Sequence, residues 1–118
     1  MSLKGQNMQD QIATLLETIK ADYFNWTSRN GTHELSAHNL EMISEFNEGL
    51  EVSEGSKYIK ILSKRSVWGF VVKGDNDKKF QKGDILKAAG WATPARNHAR
   101  GNILDGGYTI QWTGPLYI

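Results

Sequence analysis

The chain contains 118 residues, of which 39% are hydrophobic and none is cysteine, and its formal net charge is +1 at pH 7. This length leaves little room for a second hydrophobic core, so residues 1–118 are predicted to form a single domain. The absence of cysteine excludes disulfides, thiol nucleophiles and thiolate zinc sites, and no apolar run reaches the roughly 18 residues of a membrane span. We therefore expect a soluble, intracellular protein.

An amphipathic helix is predicted near the start of the chain. Apolar residues recur there at spacings of three and four, with polar residues between them: Met8, Ile12, Leu15, Leu16, Ile19 and Tyr23. The helix should end near Asn30-Gly31, because glycine readily adopts the left-handed conformation that ends helices. The apolar stripe is expected either to form a dimer contact or to cover the sheet of its own chain.

A second helix is predicted between Ser36, whose hydroxyl can cap it, and Gly49. Two β-rich runs follow, Tyr58 to Leu62 and Val67 to Val72. They are predicted to form a hairpin that places Trp68, Phe70 and Val72 on one face.

Residues 73–79 are rich in turn formers and should form an exposed loop. Ile85 to Ala89 is a further candidate strand, and residues 108–113 alternate as a last half-buried strand. Between them, Thr93 and Pro94 resemble an N-cap and a first helical residue, which predicts a short helix of about two turns ending before Gly101. The predicted fold class is α+β, with two helices followed by an antiparallel sheet that carries a short, arginine-bearing helix.

The charge is unevenly distributed. Residues 34–56 contain six Glu and no Lys or Arg, whereas residues 57–100 contain eleven Lys and Arg and three Asp. The two parts are either solvated faces that attract each other, or a basic surface that binds an anion beside an acidic part that limits adhesion to bulk nucleic acid.

The basic part contains a candidate site for a diphosphate. On a helix, Arg96 and Arg100 would share one face, and each guanidinium can donate two parallel hydrogen bonds to phosphate oxygens. The same region offers donors for hydroxyls or base edges and flat rings for stacking: Asn97, His98, Asn102, Trp91 and Phe70. The alternative is that the arginines and asparagines face solvent or cap turns and that Trp91 belongs to the core.

Catalytic patterns are weak. The three histidines lack the spacing of a metal site, and the sequence contains no nucleophile elbow, dinucleotide-binding fingerprint or Walker motif. We expect no catalytic residues, no metal, no cofactor and no enzymatic activity.

Several segments resemble a family of small phage-encoded proteins: KYIKIL, SVWGFVV, GDILKAAGW, TPARNHARGNILD and the closing aromatic strand. In order and spacing they are similar to the type-one Thoeris anti-defence proteins, which bind cyclic ADP-ribose isomers made by bacterial TIR-domain enzymes. The resemblance covers residues 57–105. The chain departs from the family pattern at Leu86, at Gly90 and in a longer loop over residues 75–82.

The resemblance implies a single nucleotide-signal-binding domain that assembles as a homodimer or higher oligomer, with pockets at subunit contacts. A signal such as gcADPR would be sequestered intact in the cytoplasm of an infected bacterial host, with no membrane and no nucleic acid as partner. By position, Phe70 would stack on the adenine, Arg96 and Arg100 would hold the pyrophosphate, and three further residues become pocket candidates: Lys87, Asn102 and Asp105. Trp91 and Asn97 complete the predicted ligand-binding set.

Two other functions remain open from the sequence. The first is a small phage nucleic-acid-binding protein that uses the basic sheet and the arginine helix on a phosphate backbone. The second is hydrolysis of the nucleotide signal.

Overall fold

The computed structural model of the chain describes residues 8–29, 34–64, 66–74, 77–96, 98–105 and 108–115. Two helices come first, and short strands follow. The helices are α1 (Met8–Thr27) and α2 (Ala37–Glu48); the strands are β1 (Leu50–Glu54), β2 (Tyr58–Ser63), β3 (Ser66–Val72), β4 (Ile85–Leu86), β5 (Ile110–Gln111) and β6 (Gly114–Pro115). An antiparallel sheet has the order β1-β2-β3-β4, and β5 pairs with β6 in a small second sheet. The predicted α+β class is confirmed.

The helix α1 confirms the prediction of an amphipathic first helix. Its apolar stripe is buried in a cluster that includes Ile59 and Ile61 of β2 and Ile85 of β4. The stripe therefore covers the sheet of its own chain, and this face of α1 is not available to a second subunit. The predicted stop at Asn30-Gly31 lies outside the described residues, and α1 ends at Thr27.

The helix α2 begins and ends as predicted. The Ser36 Oγ accepts a hydrogen bond from the Asn39 backbone N–H at 3.1 Å, which satisfies one of the free donors of the first turn. Gly49 follows the last helical residue, and its N–H donates to the Glu45 carbonyl at 3.0 Å.

The strand β1 was not predicted. It pairs along its whole length with β2, from Leu50 opposite Ser63 to Glu54 opposite Ile59. Four of its five residues are exposed, so it lacks the alternation of buried and exposed residues by which a half-buried strand is recognised. It belongs to the acidic part of the chain, and two salt bridges join that part to the basic part, Lys73–Glu54 at 2.7 Å and Lys64–Glu45 at 3.7 Å.

The predicted hairpin of β2 and β3 is confirmed, but the prediction that Trp68 shares a face with Phe70 and Val72 is wrong. Ile61 pairs with Gly69 and Leu62 pairs with Val67, so Trp68 is the extra residue of a β-bulge. The bulge turns Trp68 towards α1, where its Nε1 donates to the Gln111 carbonyl at 2.8 Å. Phe70 and Val72 lie in a second cluster with Phe80 and Leu86.

The predicted short helix over residues 94–100 is absent from the described part of that segment. The Ala95 N–H donates to the Lys87 carbonyl and the Arg100 N–H to the Ile85 carbonyl, both at 2.7 Å, while Pro94 forms a β-bridge with Ala88. The segment therefore runs antiparallel beside β4, and these donors are engaged by a neighbouring strand instead of by a helical turn.

The other two predicted strands are shorter than expected. Only Ile85–Leu86 of the predicted residues 85–89 pairs as a strand with β3, and residues 108–113 contribute β5 before a turn leads into β6. Gly101, between these two strands, occupies a position that requires glycine. Its φ of +143° disfavours other residues, and a Cβ there would lie 2.5 Å from the Tyr108 Cβ.

The sheet thus separates two apolar clusters. The helices cover one face, and the segment from Phe80 to Ala99 packs against the other. No helix in the described part of the chain combines the length and hydropathy of a membrane span.

Candidate functional site

Two cavities open on the sheet face opposite the helices. One has a volume of about 470 Å³ and the other about 320 Å³, and both are lined by Lys57 and Tyr58. We call the pair the β2 cleft. Its other lining residues are Ser53, Gly55, Ser56, Lys60, Phe70, Val72, Gly74, Asp77, Lys78, Ala92 and Arg96.

The alternation of β2 places the residues of this cleft. Ile59 and Ile61 are buried beneath the helices, and because successive side chains of a strand point to opposite faces, Tyr58 and Lys60 lie on the cleft side. The Tyr58 ring meets the Phe70 ring edge to face, with centroids 5.9 Å apart. A strand with one apolar face thereby presents a ring and a cation on the other.

Arg96 is held firmly in the wall of the cleft. Its guanidinium donates two hydrogen bonds to the Asp77 carboxylate, both 2.9 Å long, and a third to the Tyr58 hydroxyl. The guanidinium also lies 4.9 Å from the centroid of the Phe80 ring. Arg96 therefore shapes the cleft, but its charge is balanced by Asp77 in this state.

Asp77 organises the loop that precedes β4. Its Oδ1 accepts the backbone N–H groups of Lys79 at 2.8 Å and Phe80 at 3.0 Å. The hydrogen bonds from Arg96, followed by those backbone donors, hold the pKa of Asp77 well below its ordinary value of 3.8. The Asp77 hydrogen bond in turn raises the pKa of Arg96. The carboxylate is consequently a poor proton acceptor at neutral pH.

Asp77→Asn is expected to lower the melting temperature at neutral pH, because the amide cannot replace the charge-assisted pair. A carboxyl whose pKa is lowered by folding stabilises the protein above its unfolded pKa, and that stabilisation is lost as pH falls through the folded pKa. The difference between wild type and variant should therefore persist from pH 7 to about pH 4 and shrink below it. Thermal unfolding from pH 7 to about pH 2 measures this difference, with Glu51→Gln, an exposed carboxylate of β1, as the control. A difference unchanged throughout would contradict the assignment.

Three lysines of the cleft form no salt bridge with any described carboxylate: Lys57, Lys60 and Lys78. The Lys60 Nζ lies 4.7 Å from the centroid of the Trp91 ring, a cation–π distance. Trp91 is 59% exposed, so the alternative that it belongs to the core is wrong. One of these three lysines, Lys60, therefore meets an accessible indole beside the cleft.

A tight turn presents Trp91. The N–H groups of Ala89 and Gly90 both donate to the Thr93 carbonyl, at 2.9 and 3.0 Å, and the bond from Ala95 to the Lys87 carbonyl closes the base of the turn. Hydrogen bonds therefore join the backbone before Trp91 to the backbone after it, and one of them involves Lys87, the residue that follows β4.

The other predicted site residues lie apart from the cleft or support the fold. Phe70 lines the smaller cavity but is only 2% exposed, so most of its ring belongs to the second core cluster. Arg100 is 6% exposed, lines neither cavity, and donates from Nε to the His98 carbonyl at 3.2 Å. The structure therefore does not bring Arg96 and Arg100 together on one helical face. Asn97 lies outside the described residues.

Asn102, Asp105 and Lys87 belong to the backbone framework of this region. The Asn102 Nδ2 donates to the Lys82 carbonyl at 2.9 Å and the Asp84 carboxylate at 2.8 Å, and its Oδ1 accepts the N–H groups of Leu104 and Asp105. Lys87 is half-buried and contributes its carbonyl to the bond from Ala95. In this arrangement Asn102 fixes a turn, as an Asx side chain commonly does.

Sequence reasoning missed most of the cleft. Tyr58, Lys57, Lys60, Asp77 and Lys78 were not singled out. A signal for two of them was present, since the alternation that buries Ile59 and Ile61 also places Tyr58 and Lys60 together on the opposite face. The pairing of Asp77 with Arg96 spans 19 positions and has no local pattern.

Comparison with known proteins places the chain in a family. The model of a family described as a family of unknown function, DUF7717, matches residues 3–118. No curated protein and no solved structure matches the chain.

Proposed function

The chain belongs to DUF7717, a family of unknown function, and we propose from its own residues that it is an anti-defence protein that sequesters a cyclic ADP-ribose-type nucleotide signal without degrading it. The observation that carries the proposal is the β2 cleft lined by Lys57, Lys60 and Lys78, of which Lys60 also lies over the exposed ring of Trp91. The sequence resemblance to Thoeris anti-defence proteins points to the same ligand class.

Charge supports a diphosphate ligand. Three lysines and Arg96 line the cleft with one carboxylate, Asp77. A pyrophosphate carries two negative charges, and charge-assisted hydrogen bonds from ammonium groups are about twice as strong as neutral ones. The lysines, which form no described salt bridge, are the donors available to the phosphates, whereas Arg96 is held by Asp77 and Tyr58 in the wall of the cleft.

The aromatic side chains support a nucleotide over an inorganic anion. Trp91 offers an exposed indole face beside the Lys60 ammonium, and stacking of a base on such a face is worth roughly 1–3 kcal/mol. The two cavities, about 470 and 320 Å³, fall within the usual range for small-molecule sites, roughly 300–1,000 Å³. A ligand with one purine and one diphosphate matches both the volume and the polarity.

The state of Asp77 supports binding without reaction. Its lowered pKa and its pairing with Arg96 make it unsuited to remove a proton from water at neutral pH. Arginine and lysine stabilise phosphate charge but do not by themselves activate water. Holding a signal at nanomolar concentration requires roughly 12 kcal/mol of binding free energy, which the cleft would supply through charge-assisted bonds and stacking.

The proposal predicts that the bound signal is recovered intact. Purified protein is incubated for hours with an extract from cells containing an activated TIR-domain enzyme, then separated and denatured by heat. The released nucleotide is expected to keep the mass of a cyclic ADP-ribose and to activate the downstream effector. Linear ADP-ribose or AMP released at more than one turnover per site would instead make the protein a hydrolase.

Salt dependence separates the proposal from nucleic-acid binding. A polymer releases many counterions on binding, so its affinity falls steeply with salt, whereas a single diphosphate depends on salt less. Stable capture of single-stranded DNA with a steep salt slope, and no capture of the nucleotide, would favour the alternative function.

We also propose that the protein is a dimer or larger. The resemblance implies an oligomer, and since the buried face of α1 is used within the protomer, the contact has to involve other surfaces. Large apolar side chains remain exposed on both sides of the molecule: Phe24, Trp26, Leu40, Val52 and Trp91. At micromolar concentration the protein is expected to sediment at twice the protomer mass or more, and sedimentation at 13.3 kDa would contradict this.

A further inference from the structure

A third cavity lies away from the β2 cleft, where the end of α1, the helix α2 and the β5–β6 hairpin meet. Its volume is about 840 Å³, and it has no lining residue in common with the cleft. We call it the tryptophan pocket. It is lined by Asp22, Asn25, Trp26, Thr27, Arg29, Asn39, Met42, Gln111, Trp112 and Thr113.

Aromatic rings form the apolar part of this pocket. Trp112 meets Tyr23 and Phe46 edge to face, with centroids 4.9 and 5.8 Å away, and those two rings stack on each other at 4.2 Å. Trp26 is tilted by 50° from Trp112 at a centroid distance of 5.2 Å and is 59% exposed. The two indoles are already in mutual contact, so a flat ring has no room between them. A ligand has to lie across their outer surfaces.

Hydrogen-bonding groups form the rest of the pocket. Asp22 accepts the backbone N–H of Trp112 through Oδ2 at 2.8 Å, which fixes the hairpin and leaves the other carboxylate oxygen of Asp22 without a described donor. Thr113, whose hydroxyl can both donate and accept, also lines the pocket. Amide groups of Asn25, Asn39 and Gln111 add both donors and acceptors.

The charges of the pocket restrict the ligand. Asp22 and Arg29 contribute one charge of each sign to the lining, so the charged side chains of the pocket favour neither a phosphate nor a cation. A neutral molecule therefore fits the pocket best. Hydroxyl groups suit its polar part, because each can donate and accept and so pair with carboxylate, amide and hydroxyl groups together.

From this arrangement we infer that the tryptophan pocket binds a neutral sugar ring. The apolar C–H face of a sugar covers an indole, while its neighbouring hydroxyls pair with planar carboxylate and amide groups. This site is separate from the nucleotide site proposed above and does not depend on it.

The test titrates the full-length protein with glucose, galactose, mannose and N-acetylglucosamine and follows the four indole N–H signals by NMR. At least one sugar is expected to shift the signals of Trp26 and Trp112 saturably, with a dissociation constant of about 1 mM, the range expected of one ring held by one apolar face and a few hydrogen bonds. Trp26→Ala and Asn25→Ala should each weaken that binding by about tenfold. Phe24→Ala, an exposed aromatic of α1 that does not line the pocket, should leave it unchanged.

The proposal is overturned if none of the four sugars gives a saturable shift at concentrations about fifty times that dissociation constant. It is also overturned if Asn25→Ala, which removes an exposed side chain, binds as wild type does. Titration with ADP-ribose provides the last comparison. A shift of Trp26 and Trp112 by ADP-ribose and by none of the sugars would assign the pocket to nucleotides instead.

Discussion

Replacing Arg100 with alanine is expected to destabilise the protein by about 2–4 kcal/mol, because the side chain is buried and hydrogen-bonded. Arg100 is 6% exposed, its Nε donates to the His98 carbonyl, and its backbone N–H donates to the Ile85 carbonyl. Truncation would leave the His98 carbonyl without this donor and would open a void beside β4. Urea unfolding measures the loss as a lower midpoint at an unchanged slope.

Two further variants separate structural from ligand-binding roles for Arg100. Lys64→Ala, an exposed basic residue in a surface salt bridge, should lose less than about 1 kcal/mol. Arg100→Met keeps much of the buried volume and should recover part of the loss. The opposite outcome is that Arg100→Ala unfolds at the wild-type midpoint but no longer binds the nucleotide. Arg100 would then contact the ligand, as the sequence pattern predicts, and would not stabilise the fold.

Lys60→Glu is expected to weaken nucleotide binding by about 100-fold, or about 2.7 kcal/mol. The Lys60 ammonium lies between the cleft and the Trp91 ring, so the substitution removes a cation from the diphosphate, adds an anion near it and disrupts the contact with the stacking face. Isothermal calorimetry with a cyclic ADP-ribose at fixed salt measures the change.

Lys64→Glu is the matched control, because it makes the same change in net charge at the far end of the hairpin from the cleft. Its salt bridge to Glu45 is exposed, so the expected effect on nucleotide affinity is less than about threefold. Equal losses in the two variants would mean that long-range charge, and not the cleft, determines affinity. An unchanged affinity in Lys60→Glu would remove the cleft from the proposed function.

The helices could be predicted from sequence because their determinants are local. A stripe at spacings of three and four identifies α1, and Ser36 and Gly49 mark the ends of α2. The prediction of a short helix over residues 94–100 was wrong for the opposite reason. Its local signals at Thr93 and Pro94 are outweighed by hydrogen bonds to the Ile85 and Lys87 carbonyls, which no local pattern records.

The strands also differ in whether a local sequence pattern identifies them. The alternation of Ile59 and Ile61 predicts β2, whereas β1 is recognisable only from its pairing with β2. The bulge at Trp68 could not be predicted either, since alternation places Trp68 with Phe70 and only the register against Ile61 and Leu62 shows the extra residue.

Prediction of the candidate site was correspondingly partial. Arg96 and Phe70, both singled out from sequence, line the cleft, and Trp91 lies against its Lys60. The spatial neighbours of Arg96 depend on contacts with Tyr58 and Asp77, 38 and 19 positions away. Residue types that suit the proposed ligand were therefore visible in the sequence, but their arrangement was not.

The turn that carries Trp91 bears on the kinetics of the nucleotide capture that we propose. Fixing the backbone of one residue costs roughly 1–2 kcal/mol of conformational entropy. Here three hydrogen bonds within residues 87–95 fix the backbone of the turn as the chain folds. Capture then has to restrict little more than the two torsions of the indole side chain. If a base stacks on Trp91, as we propose, the indole is in place before the ligand arrives and loop ordering should not slow association. Differences in affinity among variants of the cleft should then appear mainly in the dissociation rate.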